Sequence, residues 1–404
     1  MLKLPIYLDY NATTPCDPRV VDVMLPYFTE NFGNAASRTH SFGWIAEEAV
    51  DTAREQVAKI IGADTKEVVF TSGATEGANL AIKGVFETYA GKGKHIITTN
   101  TEHKAVLDTC KHIEKLGGEV TYLQVKNDGR IDLNELEQAI RPDTVLIAIM
   151  YANNEIGTLQ PVREISEVAR KHGVLFFCDA TQAVGKIPVN VETDGIDLLT
   201  FTAHKMYGPK GVGALYVRRR NPRVKLTAQM DGGGHERGLR SGTLNVPGIA
   251  GFGKACELCV NEMDTDASRL SVLRDQLENA LLAIEEVHLN GSRQYRLPQI
   301  TNVSFKYVES EALIMGFNKV IALSSGSACT SASIEPSYVL KALGMSDEMA
   351  HASLRFGLGR FTTAEEIAFT IEKVSESVAK LREISPVWEM YKDGVDMDTV
   401  ARTT

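Results

Sequence analysis

The sequence predicts an α/β fold, a mostly parallel sheet covered by helices on both sides, followed by a smaller α+β unit. Three observations point there. From about residue 44 to 217, short apolar runs rich in β-branched residues alternate with stretches of helical periodicity. The apolar runs are hydrophobic on both faces, as buried parallel strands must be. After about residue 260 the texture changes, and long amphipathic stretches replace the alternation.

The elements follow in order. WIAEEAVDTAREQVAKIIG places Ala46, Ala49, Val50, Ala53, Val57 and Ile60 on one face at helical spacing, and Gly62 closes it. The runs EVVFT, HIITT, VTYLQV, VLIAIMY, VLFFCD, LLTFT and GALYV read as strands. Residues 104–116, 133–140 and 162–172 read as the helices between them. Beyond residue 260, an amphipathic stretch over 268–284 precedes the strand-like TNVSF and IALSS. Helices are expected over 337–343 and 364–381. The first few residues are assigned to this smaller unit as well, although periodicity alone does not support that.

Composition narrows the class. The 404 residues carry 43 Lys+Arg and 52 Asp+Glu, a formal charge of −9. That balance argues against a general nucleic-acid binder, which shows a basic face. A local basic patch is still allowed, and Arg218, Arg219, Arg220 and Arg223 are its candidates. The longest apolar run, residues 145–152, falls far short of the ~20 residues a bilayer span needs. The opening MLKLPIYLDYNATTP lacks an apolar signal core. The chain is expected to be soluble and intracellular. Six cysteines without a signal peptide read as reduced thiols. Cys256 and Cys259 sit one helical turn apart and read as core. Cys329 differs, because it lies among Ser325, Gly326, Ser327, Ala328, Thr330 and Ser331. That run cannot pack a core and is expected to be a mobile loop.

In this fold class, ligands bind at the carboxyl ends of the strands. After EVVF, Gly73, Ala74 and Thr75 offer N–H groups and a hydroxyl at a helix start, an anion site by dipole and geometry. A plain helix cap would also account for them. After HIITT comes His103, and after VLIAIMY come Asn153, Asn154 and Glu155. After VLFFC come Asp179 and Gln182. After LLTF come Thr202, His204 and Lys205, with Gly208, Gly211 and Gly213 behind them. Lys205 is a candidate Schiff-base amine. Taken singly, each residue has a structural explanation. Jointly they match what pyridoxal phosphate needs: an amine, a carboxylate for the ring nitrogen and donors for the phosphate. GPKGVG lacks P-loop spacing, so a nucleoside triphosphate is not expected.

The chain resembles the IscS-type cysteine desulfurases nearly end to end. FTSGATE, TEHKAVLDTC, NNEIG, DATQAVGK, AHKMYGPKG, GGGHERGLRSGT, SSGSACTSAS and LRFGLGRFTT carry the resemblance. It implies a pyridoxal-phosphate-dependent transferase of fold type I. The large domain, 16–262, would hold a seven-stranded sheet. Residues 1–15 and 263–404 would form the small domain, with the catalytic cysteine loop at about 323–335. Lys205 would bind the cofactor covalently, His103 would stack on its ring and move protons, and Asp179 would pair with the ring nitrogen. Gln182 would contact the ring oxygen. Ala74, Thr75, Thr202 and His204 would hold the phosphate. Thr243 would reach the phosphate of the neighbouring subunit, which implies a homodimer. Asn154 and Arg355 would bind the substrate carboxylate, and Asn154 is counted with the cofactor set too. Cys329 would accept sulfur from L-cysteine.

The implied partners are an iron–sulfur scaffold and other sulfur acceptors, with tRNA thiolation as a further destination. Neither nucleic acid nor membrane is bound directly, and no resident metal is expected. Cys329 would at most ligate transiently a cluster shared with a scaffold. The implied location is cytoplasmic, with a mature mitochondrial form left open. An aminotransferase, a selenocysteine lyase and a sulfur carrier with a vestigial site are the competing readings. Departures from the family pattern include Gly77, Thr202, Ala203, Ala35, Ser310, Phe317 and the tail MDTVARTT. The glycine at 77 would loosen its helix start by about 1 kcal/mol.

Overall fold

The computed structural model describes residues 2–325 and 335–395. Each of the seven apolar runs forms a strand of one sheet. Across it the strands lie in the order 68–71, 213–217, 198–202, 175–179, 144–148, 95–99, 119–123. The pairings from 198–202 through 119–123 are all parallel. Strand Gly213–Val217 is antiparallel to both its neighbours. A short glycine-rich turn after Lys205 returns the chain directly, with no helical crossover to make it parallel.

Alternate strand residues feed two cores. Phe70, Ile97, Ile147, Phe176, Leu199, Phe201 and Tyr216 face helix Ser41–Ile60. Val69, Ile96, Leu146, Phe177, Leu198 and Leu215 face helices Ala74–Thr88 and Lys104–Lys115. Strands 144–148, 175–179, 198–202 and 213–217 are buried at every position. This is why they read as continuous apolar runs and not as alternating ones.

A third core lies apart from these two. Strands Val287–Leu289, Ile300–Phe305, Ser324–Ser325 and Ser353–Gly357 form an antiparallel sheet. Phe305, Leu354 and Phe356 pack with Ile367, Val374 and Val378 of helix Ala364–Glu383. Strand Ile6–Tyr7 pairs in parallel with Ile321–Ala322, and Ile6 and Leu8 join the same core. The start of the chain thus packs with its last third.

One helix, Val246–Leu282, is much longer than the stretch expected over 268–284. Its front half contributes Ile249, Phe252, Cys256 and Cys259 to the sheet core, and its rear half contributes Leu270, Leu273, Leu277 and Leu281 to the third core. Residue 262, the expected domain boundary, lies inside it. Glycines disguise the front half, because Gly lowers helix propensity. Gly253 is there for packing: a Cβ would come within 2.5 Å of the Ala53 Cα on the neighbouring helix.

The expected basic patch is smaller than the sequence suggests. Arg218 is buried, with its guanidinium against Glu192 and Asp197. Arg220 reaches Asp64 at 3.8 Å. No helix among the described residues is long and apolar enough to cross a membrane.

Candidate active site

Five strand ends converge on one cavity of about 590 Å³. Ala74, Thr75, His103, Asn154, Asp179, Gln182, Thr202, His204, Lys205 and Arg355 all line it. Two expected residues do not. Thr243 is exposed and outside the lining. Cys329 lies outside the described residues, as does the tail from residue 396.

The Lys205 ammonium stands over the first turn of the chain. Its Nζ donates to the carbonyls of Asn11 at 2.5 Å and Ala12 at 2.6 Å. Asp179 ends its strand with 6% of its surface exposed, and its Oδ1 accepts from the Thr181 N–H at 3.0 Å. Gln182 Nε2 donates to the Asn11 carbonyl at 3.1 Å. His103 caps helix Lys104–Lys115, with Nδ1 accepting from the Ala105 N–H at 3.1 Å. Burial pushes its imidazole below the ordinary value, Asp179 opposes that, and Lys205 adds to it. A second imidazole, His204, precedes the lysine, and its Nδ1 lies 3.1 Å from the Thr13 hydroxyl. Burial lowers His204 to about 4, with Lys205 and Lys210 acting in the same direction.

Arg355 lines another side of the cavity. Its guanidinium donates to the Asn154 carbonyl at 3.1 Å and to Asp9 Oδ1 at 2.8 Å. Asn11 Nδ2 donates to the same Asn154 carbonyl at 3.0 Å. Asn11, Ala12 and Thr13 are not singled out by the sequence, yet they form one wall. The small polar run NATT at the start of the chain is their only signal.

The residues fit an anionic, amine-reactive cofactor. Helix Ala74–Thr88 opens at Gly73 with no side-chain cap among the described residues, and Gly73, Ala74 and Thr75 line the cavity, a geometry suited to an anion. Asn11 Oδ1, Asn154 Oδ1, Thr181 Oγ1 and Arg355 Nε are buried without a hydrogen-bond partner among the described residues, and all four residues line the cavity. Leaving such a group unsatisfied costs about 1–3 kcal/mol, which a polar ligand would relieve.

Fold and cavity define an α/β protein of the fold type I class, with a lysine-lined cavity at the strand ends. The sequence pattern of the aminotransferase class-V family matches residues 6–369. The chain is 58% identical over 400 residues to the cysteine desulfurase IscS of Anaeromyxobacter dehalogenans, covering 99% of this chain and 98% of that one. It is 59% identical over 401 residues to the cysteine desulfurase IscS of Salmonella paratyphi B, covering 99% of each. Among solved structures it is similar to a NifS-like protein, with a TM-score of 0.87 and 37% identity over 93% of this chain and 100% of that one. It is also similar to SspA in complex with cysteine, with a TM-score of 0.78 and 37% identity over 89% of this chain and 100% of that one. The chain belongs to the class-V aminotransferase family and, within it, to the cysteine desulfurases. Its cofactor is pyridoxal 5'-phosphate.

Proposed function

We infer that this chain moves the sulfur of L-cysteine onto Cys329, releases L-alanine and supplies iron–sulfur cluster assembly, with tRNA thiolation as a further destination. One observation carries the reading. Lys205, Asp179, His103, Arg355 and an uncapped helix start surround a single cavity, in a chain 58–59% identical to proteins named cysteine desulfurase.

Pyridoxal phosphate, when bound, supplies an electron sink for a carbanion at the substrate Cα. Lys205 would hold it and move the substrate Cα proton. Asp179 would pair with the ring nitrogen. Ala74, Thr75, Thr202 and His204 would hold the phosphate. Arg355 and Asn154 orient the substrate carboxylate, for which the guanidinium fork is suited. The neutral imidazole of His103 carries protons near the reacting carbons. The Cys329 thiolate attacks the substrate sulfur. A new S–S bond forms, the C–S bond breaks, and its electron pair stays on Cβ, which takes up a proton. The two sulfurs are oxidised to a persulfide and the carbon is reduced, so no external oxidant is needed.

A homodimer belongs to the same reading. Leu25, Phe28, Phe32, Phe42 and Trp44 are large apolar side chains left exposed within a short part of the chain, the kind of surface a partner covers. Thr243, exposed and away from its own cavity, would complete the neighbouring subunit's phosphate site. The division into 16–262 and 1–15 with 263–404 rests on the separate third core. The acceptors are an iron–sulfur scaffold and other sulfur carriers, met in the cytoplasm.

The test is Cys329→Ser. The variant is expected to keep the yellow absorbance of the bound cofactor and to form no persulfide when given L-cysteine. Undiminished alanine release would refute Cys329 as the acceptor.

A further inference from the structure

Downstream of Cys329, Ser337 and Tyr338 contact residues that neighbour the cavity lining in the chain. Ser337 Oγ donates to Glu155 Oε2 at 2.5 Å. Tyr338 OH donates to the Glu102 carbonyl at 2.8 Å, and Lys104 Nζ lies 5.1 Å from the centre of the Tyr338 ring. These partners adjoin His103 and Asn154 in the chain. Ile156 packs with Val339, Leu340 and Leu343 of the same segment. On the upstream side, Ser324 pairs in register with Arg355. Both described ends flanking Cys329 are therefore tied to residues around the substrate-carboxylate site.

Glu155 is the polar centre of the downstream tie. It is 1% exposed and Ser337 is 3% exposed, so water does not replace their hydrogen bond. The Ser337 hydroxyl also accepts from the Leu340 N–H at 3.3 Å and so starts helix Tyr338–Ala342. The Glu155 N–H donates to Asn153 Oδ1 at 2.8 Å, and its carbonyl accepts from Asn302 Nδ2 at 3.1 Å. The main chain of Glu155 is thereby fixed independently of its carboxyl group. Its side chain is left for Ser337, with Arg355 and Lys104 as the charges that act on it.

We propose that Glu155 is a positioning residue for sulfur transfer, holding Ser337 so that the segment after Cys329 and the Asn154 turn share one support. The proposal rests on the reading of Cys329 as acceptor. Burial pushes the Glu155 carboxyl up to about 7. Glutamine keeps a side-chain oxygen that can accept from Ser337, so Glu155→Gln serves as the conservative variant.

The experiment mixes holoenzyme with L-cysteine and follows the mass gain of one sulfur on the Cys329 peptide in a single turnover. Glu155→Ala and Ser337→Ala are each expected to slow that gain about tenfold, the loss of one well-placed hydrogen bond. Cofactor absorbance and the KM for L-cysteine stay unchanged. The double variant is expected to be no slower than Ser337→Ala alone, which removes both the shared link and the Leu340 cap. Glu155→Gln is expected to keep the rate of the unsubstituted enzyme. Rates equal to the unsubstituted enzyme in both alanine variants, or losses that multiply in the double variant, would overturn the proposal. Absence of sulfur on Cys329 in the unsubstituted enzyme would instead overturn the acceptor reading beneath it.

Discussion

Glu102 shows what one buried carboxyl does to the molecule. It is fully buried beside His103, its Oε1 accepts from the Met150 N–H at 2.8 Å and the Thr99 hydroxyl at 3.1 Å, and its Oε2 has no partner among the described residues. Burial raises its pKa from 4.5 to about 8. A raised pKa means that the folded state favours the protonated form. The stability it contributes is fully present below pH 4.5 and is lost as pH rises through about 8. Glu102→Gln mimics the protonated form at every pH. Denaturant unfolding at both ends of that range is expected to show a smaller loss of stability in Glu102→Gln than in the unsubstituted chain. Parallel losses would contradict the assignment. At this scale, most of the cavity residues are legible in the sequence because each stands at or just beyond a strand end. Arg355 is the exception, since it lies inside strand Ser353–Gly357 and only the family resemblance points to it. Asn11 and Asp9 are not legible, because only the folded chain brings the start of the sequence beneath Lys205 and Arg355. The importance of Glu102 is hidden too, and Glu155, a strand-end candidate in the sequence, gives no sign there of its tie to Ser337, since burial is not visible in a polar residue's neighbours.

Helix Ala74–Thr88 starts at the cavity, and its placement depends on Gly77. Propensity alone makes this glycine a loosening of the helix start. The structure gives it a positive role. A Cβ at residue 77 would collide with the Thr200 Oγ1 and lie 3.0 Å from the Thr200 Cβ on strand Leu198–Thr202. The helix therefore lies close over the strand that leads to Lys205. Gly77→Ala is expected to destabilise the protein by about 1–3 kcal/mol, the usual effect of overpacking. Adding Thr200→Ala is expected to recover part of it in thermal unfolding, and no recovery would place the strain elsewhere. The strands themselves are readable from their apolar runs. The antiparallel placement of Gly213–Val217 is not, because direction depends on the connection and not on the composition of the strand. The front of helix Val246–Leu282 is hidden for a related reason: its glycines serve a neighbour that is distant in sequence.

For the whole molecule, the exposed apolar residues near the start of the chain make the strongest prediction. Phe28 is 59% exposed and Phe32 is 65% exposed, with Phe32 and Phe42 ring centres 5.2 Å apart. Phe28→Glu places a charge on the surface expected to be covered in a homodimer. Sedimentation is expected to show a shift from dimer to monomer, accompanied by weaker cofactor retention if Thr243 serves the neighbouring subunit. An unsubstituted chain that sediments as a monomer would refute the dimer.

The long helix has a consequence for how the protein comes apart. Val246–Leu282 is a single rod of 37 residues, roughly 55 Å long at 1.5 Å per residue. Each core uses part of it as a wall. Melting either core frays the rod and exposes apolar surface in the other. Arg360, held by Asp17 and Asp266, adds a second link between the start of the chain, the rod and the last third. Separating the two parts would therefore break this helix or strip apolar surface from one core, and their unfolding is expected to be coupled.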